Sequence, residues 1–344
     1  MLEGQTTMSH LPVPPADVVG LNRAAESSSR WLIVFAMTTV AILGAECPNA
    51  SASKDHERLR LAPPTERALR PSGYQDDPSW TQHEAAEKGD AAAQFDLGER
   101  YAAGDGVSQD IPQAVQWWRR AALQGYARAQ LRIADAYQLG IGVLKDEQEA
   151  VRWYRKAADQ GDATAQLRVG DAYDDGDGVP PDSTEAVRWW QRAADQGNVL
   201  AQTHLGQAYH QGDGIPRDFA QALRWYRRAA ERGEPQAASN LGFMYQNGEG
   251  VVRDPAQAVE WWRQAALGGN ASALFNLAVA YYNGDGVMGN DVEAYKWIEI
   301  AEARASDVRP KYAALREALV MKMTIAQVAE AHQLARQWTE MFEK

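Results

Sequence analysis

The chain has 344 residues with 35 basic and 46 acidic side chains, a net charge of −11, and an apolar fraction of 45%, ordinary for a protein with a packed core. That balance argues against nucleic acid as the main ligand, because a phosphate backbone selects a basic stripe. The one cysteine, Cys47, excludes an intramolecular disulfide and a cysteine-based metal cluster, and the six histidines form no His-Glu-x-x-His pair.

In chain order, residues 1–30 are polar and proline-bearing, and residues 31–45 carry no charge. Fifteen apolar residues are too few for a comfortable membrane span, which takes about 20. They suit the apolar core of a secretory signal, and Ala50-Ser51-Ala52 supplies a small-x-small cleavage pattern. Residues 1–52 are therefore read as a polar segment plus a signal peptide or uncleaved signal anchor. The expected location is periplasmic or secreted, alternatively anchored at the inner membrane. Glu46 stands where a lipidated cysteine needs a small neighbour, so Cys47 is not assigned as a lipid site. Residues 53–78, with Pro63, Pro64, Pro71 and Pro78, read as a flexible linker.

From residue 79 to 304 the chain is periodic. Tyrosines fall at Tyr101, Tyr137, Tyr173, Tyr209, Tyr245 and Tyr281, and tryptophans at Trp117, Trp153, Trp189, Trp225, Trp261 and Trp297. The interval is 36 residues in both columns, the mark of a stacked repeat array. Ala93, Leu97 and Tyr101 make one stripe of a first helix. A small residue follows the leucine position (Gly98, Ala134, Gly170, Gly206, Gly242, Ala278), which predicts a close helix neighbour. Gly-x-Gly ends that helix. Asp110 and its successors, with Gln or Glu three residues on, predict a reciprocal capping box at the second helix. Ala114, Trp117, Trp118, Ala121 and Ala122 form its apolar face. Residues 79–89 match a half-module, and residues 305–344 read as capping helices, the last opening at Thr324.

The aromatic columns could be imagined as a stacking ladder for sugars or peptides, but their place on the buried stripe favours packing between helices. The Gly-Asp-Gly turns lack the lysine of a phosphate loop and the bidentate glutamate of a calcium loop. Ser51 and Lys54 fit a Ser-x-x-Lys pattern without a folded context. No catalytic, cofactor or metal set emerges, and a non-enzymatic protein is expected.

The pattern resembles the Sel-one-like repeat (SLR) family within the tetratricopeptide-like helical repeats. The resemblance implies an all-α fold, a right-handed α/α superhelical solenoid of six helix pairs. It also implies an adaptor role in signalling, secretion, envelope regulation or quality control. In such arrays the first helices line the concave face, which would expose Ala92, Phe95, Glu99, Ala102, Ala103 and their successors. On that carry-over, Glu99, Asp135, Asp171, Asp174, Asp175 and His210 line one part of a partner-binding groove. Phe243, Phe275 and Tyr282 form its apolar end. The implied partner is a protein or peptide segment, basic at one end with an apolar anchor. The alternative is a secreted hydrolase acting on cell-wall peptides or β-lactams, or a host-directed effector using the same surface. Some cysteine-bearing relatives carry a cysteine pair in every repeat; this chain has none.

Overall fold

The computed structural model describes residues 78–304 and 310–342. The leader and linker readings for residues 1–77, with Cys47, Ser51 and Lys54, lie outside them. Among the described residues there are fifteen α-helices and no strand. A lone helix, α1 (Pro78–Glu87), precedes six helix pairs. These are α2 (Ala91–Ala103) with α3 (Ile111–Leu123), α4 (Ala127–Leu139) with α5 (Glu147–Asp159), and α6 (Ala163–Asp175) with α7 (Ser183–Asp195). Then come α8 (Val199–Gln211) with α9 (Phe219–Ala230), α10 (Pro235–Asn247) with α11 (Pro255–Leu267), and α12 (Ala271–Asn283) with α13 (Asp291–Arg304). We call these pairs modules 1 to 6. The chain closes with α14 (Pro310–Lys322) and α15 (Ile325–Phe342).

From α1 to α13 each helix packs on the one before it and the one after it, so the array is an α/α solenoid. The first helices α8, α10 and α12 also touch one another in sequence. Both α14 and α15 lie against α13.

The small column is explained by the second aromatic of each pair. A Cβ added at Gly98 or Gly170 would lie 2.5 Å from Cδ1 of Trp118 or Trp190, and one at Gly206 would lie 2.7 Å from Cδ1 of Tyr226. Where the facing residue is Tyr154 or Ile298, the column holds Ala134 or Ala278. Each of the three indoles at the second aromatic position faces a glycine, as Tyr226 also does, whereas Tyr154 and Ile298 face alanine.

Both glycines of the Gly-x-Gly turn adopt positive φ, 76° at Gly104 and 68° at Gly106, a region that costs an L side chain strain. The first caps the helix, its N–H donating to the Arg100 carbonyl.

The capping box is only half present. The N-cap side chain accepts from the backbone N–H three residues on in all six modules, as Asp110 does from Gln113 at 3.0 Å and Asn290 from Glu293 at 3.1 Å. The cap's own N–H does not reach back to the Gln or Glu side chain. It donates at 2.9 Å to the carbonyl of the module's tyrosine, Asp110 to Tyr101 and so on through Asn290 to Tyr281. This bond draws the turn closed. Among the described residues a full box occurs at α15, where Gln327 Oε1 accepts from the Thr324 N–H at 2.9 Å and Thr324 Oγ1 from the Gln327 N–H at 3.3 Å.

Candidate functional site

The face presented by the first helices is built from two adjacent columns. One runs Glu99, Asp135, Asp171, Gln207, Phe243, Val279, and every member is half-buried. Beside it, one turn earlier, runs Asp96, Arg132, Arg168, His204, Asn240, Asn276. In modules 1 to 3 the two columns interlock. Arg132 of module 2 donates through Nε and Nη2 to both carboxylate oxygens of Glu99, each at 3.0 Å. Arg168 Nη1 lies 3.8 Å and His204 Nε2 3.7 Å from Asp171.

Two of these acids also face inward. Asp135 accepts from the Tyr154 hydroxyl at 2.7 Å, and Asp171 from the Trp190 indole N–H at 3.0 Å. Burial pushes the Asp135 carboxyl above the usual aspartate value, against the Tyr154 hydrogen bond and the charges of Arg168 and Arg132. Burial also pushes the Tyr154 phenol well up, so it stays the donor of the pair. The acidity expected of the groove in modules 1 to 3 is thus largely joined to neighbouring cations and to the core. Asp174 is half-buried and Asp175 exposed at the end of α6.

His210 is not a groove-lining ligand but an inter-module clamp. Its Nε2 lies 2.6 Å from Glu249 in the turn of module 5, and its ring is surrounded by Phe219 (5.3 Å between centroids), Phe243 (6.2 Å) and Tyr226 (6.5 Å). The same column makes the same reach elsewhere. Gln138 Nε2 donates to Asp177 at 3.4 Å and Gln246 Nε2 to Asp285 at 2.6 Å.

The apolar end needs a correction. Phe275 is 5% exposed and stacked on Tyr312 of α14, centroids 4.7 Å apart, so it belongs to the core and offers no surface to a partner. Phe95, placed on the exposed face by analogy, is also buried, against Tyr126 of the next module. That column faces the following repeat. Phe243, Val279 and Tyr282 remain half-exposed, with Lys322 Nζ 4.1 Å above the Tyr282 ring.

A further column, of glutamines, is a polar device between modules. The side-chain amide of Gln94 donates to the Ala86 carbonyl of the preceding helix at 3.0 Å and accepts from Gln124 at 2.8 Å. Gln130 and Gln166 repeat both bonds. The signal was present as a Gln recurring beside the buried alanine, which no apolar-periodicity argument interprets. Among the described residues no cluster of His, Cys, Asp or Glu could hold a metal ion, and no helix is long and apolar enough to cross a membrane.

Six consecutive segments, residues 91–126, 127–162, 163–198, 199–234, 235–270 and 271–305, match the Sel1 repeat. The chain belongs to the Sel1 repeat family. A Sel1 repeat protein from Oxalobacter formigenes is 31% identical over 66% of this chain and 98% of its own, with a TM-score of 0.61. A protective antigen of uropathogenic Escherichia coli with an SLR fold is 26% identical over 76% of this chain and 86% of its own, with a TM-score of 0.34. Comparison with curated proteins finds no match. Sel1 repeat proteins are generally protein-interaction scaffolds, and the Sel1 repeat is a non-catalytic interaction fold.

Proposed function

We propose that this Sel1 repeat protein is an exported adaptor that holds a segment of another protein along the face of its first helices. The observation that carries the reading is the change of character along that face. Positions that bear interlocked ion pairs in modules 1 to 3 bear half-exposed Phe243 and Val279 in modules 5 and 6, with Tyr282 beside them. Packing columns repeat, but this one does not, and aromatic anchors that become fully desolvated on binding are where binding energy concentrates. The partner's apolar anchor is therefore assigned to Phe243 and Tyr282. Glu99, Asp135, Asp171, Asp174 and Asp175 supply a polar flank for a basic segment, in which Glu99 and Asp171 are already paired with arginine. Export rests on residues 31–45 and Ala50-Ser51-Ala52.

The test immobilises the full-length chain beside its Phe243→Ala/Tyr282→Ala variant and exposes both to envelope extract. A polypeptide retained by the parent and at least tenfold less by a variant of unchanged helicity is the expected result. Equal retention by both would remove the first-helix face as the site.

A further inference from the structure

We infer that the exposed face of the second helices, in modules 1 to 4, is a separate docking strip for an acidic polypeptide segment. The protein is strongly acidic overall, yet cations recur here at three helical positions. Arg120, Lys156, Arg192 and Arg228 each lie over the tryptophan of their own helix, 3.7–4.7 Å from the ring centroid. Arg119 and Arg227 donate to the tyrosine hydroxyl of the next module at 2.6 and 2.7 Å, and Arg155 does the same to Tyr173. Arg224 extends the set on α9. Among the described residues no carboxylate lies within salt-bridge distance of any of these eight. The contrast with the first-helix face is direct, since there the arginines are matched by acids.

Holding a guanidinium by a ring face or a phenol keeps its charge and most of its five donors. It also removes the side-chain entropy that a docking partner would otherwise have to overcome. The strip is a row of cations placed in advance, and it ends where Gln264 replaces the ring-stacked cation in module 5.

Its borders select the partner. On one side stand Glu149 and Glu185, already paired with Arg152 and Arg188, and on the other Asp159, Asp195 and Glu231. Ten residues of helix separate Glu149 from Asp159, roughly 15 Å at about 1.5 Å per residue. That width admits one extended chain or one helix. It repels a broad anionic bilayer or a nucleic-acid duplex, whose charges would overlie the flanking acids. A single strand of nucleic acid would want exposed ring faces for its bases. The tryptophans of the strip are buried beneath their cations. Carboxylates on a polypeptide need only the charged forks.

The experiment measures binding of fluorescent oligoglutamate of about 20 residues, long enough at about 3.3 Å per residue to cross several modules. Anisotropy is read with the full chain at about 50 mM salt. Oligothymidylate and phosphatidylglycerol vesicles serve as competing probes. The expected result is saturable oligoglutamate binding that weakens with salt. It falls at least tenfold in Arg120→Gln/Arg192→Gln/Arg224→Gln/Arg228→Gln, and it tightens a few-fold in Asp159→Asn/Asp195→Asn. The second variant leaves the ring-stacked arginines in place, so it stays decisive if the first does not fold. No binding, binding indifferent to both variants, or equal or tighter capture of the thymidylate or the vesicles would overturn the inference.

Discussion

Asp135 stands on the column that faces the groove, yet its carboxylate is turned to the Tyr154 hydroxyl at 2.7 Å. Its pKa is raised chiefly by burial, so the folded state holds the proton more tightly than the unfolded chain does. Below about pH 4, near the unfolded pKa, both states are protonated. As pH climbs from there through the higher folded pKa, the native state loses stability relative to a neutral residue, and above it the deficit persists. Asp135→Asn keeps the acceptor for Tyr154 and removes the titration. Its denaturation free energy relative to the parent is therefore expected to improve between pH 4 and neutrality, read from urea titrations across that range. A constant difference would mean that Asp135 titrates normally.

At the scale of one helix, the half-formed box decides which substitution matters. Asp146 accepts from the Glu149 N–H at 3.0 Å, while its own N–H is taken by Tyr137 and the Glu149 side chain goes to Arg152 at 2.5 Å. Asp146→Ala should therefore cost about 1 kcal/mol. Glu149→Gln should cost no more than the exposed ion pair, about 0.5 kcal/mol. In a reciprocal box the two would be comparable. Denaturant midpoints of the two variants distinguish these cases. The tyrosine carbonyl that displaces the Glu is itself a product of the tight turn, since the Gly-x-Gly geometry brings residue 110 back to residue 101.

Across the whole array, the extensive contacts join helices one or two places apart in the chain, so stability is a sum of local interfaces and a defect stays near its origin. The far end depends on α14. Tyr312 is 1% exposed, stacks on Phe275, and its hydroxyl donates to the Ala271 carbonyl at 3.4 Å. Tyr312→Ala is expected to cost about 3 kcal/mol, with the lost hydrogen-exchange protection confined to α12, α13 and α14. Protection in modules 1 to 3 should not change. Loss spread evenly over all six modules would show that the array unfolds as one unit. Charge is also distributed at this scale. Arg132 and Arg168 on the first-helix face are matched by acids of that face, whereas Arg120, Lys156, Arg192 and Arg228 on the second helices are held over tryptophan rings.

The periodic columns alone determined the all-helical repeat, the helix boundaries to within a residue or two, which residues cap the second helices, though not the reciprocal box expected of them, and the crowded slot of small residues. These are short-range properties, set by residues three or four apart on one helix or by a turn of fixed length. Only the tertiary structure decided what the polar and variable columns do. Phe275 and Phe95 read as surface because their place on their own helix is open, and they are buried because the next element covers them. Glu99, Asp135 and Asp171 read as an acidic stripe until the adjoining module brought Arg132 to Glu99 and His204 beside Asp171, and the second helix of the same module turned Tyr154 and Trp190 onto Asp135 and Asp171. A column's chemistry in a solenoid depends on the repeat that stacks against it, some 30 to 39 residues away in the chain, and no window on a single helix contains that neighbour.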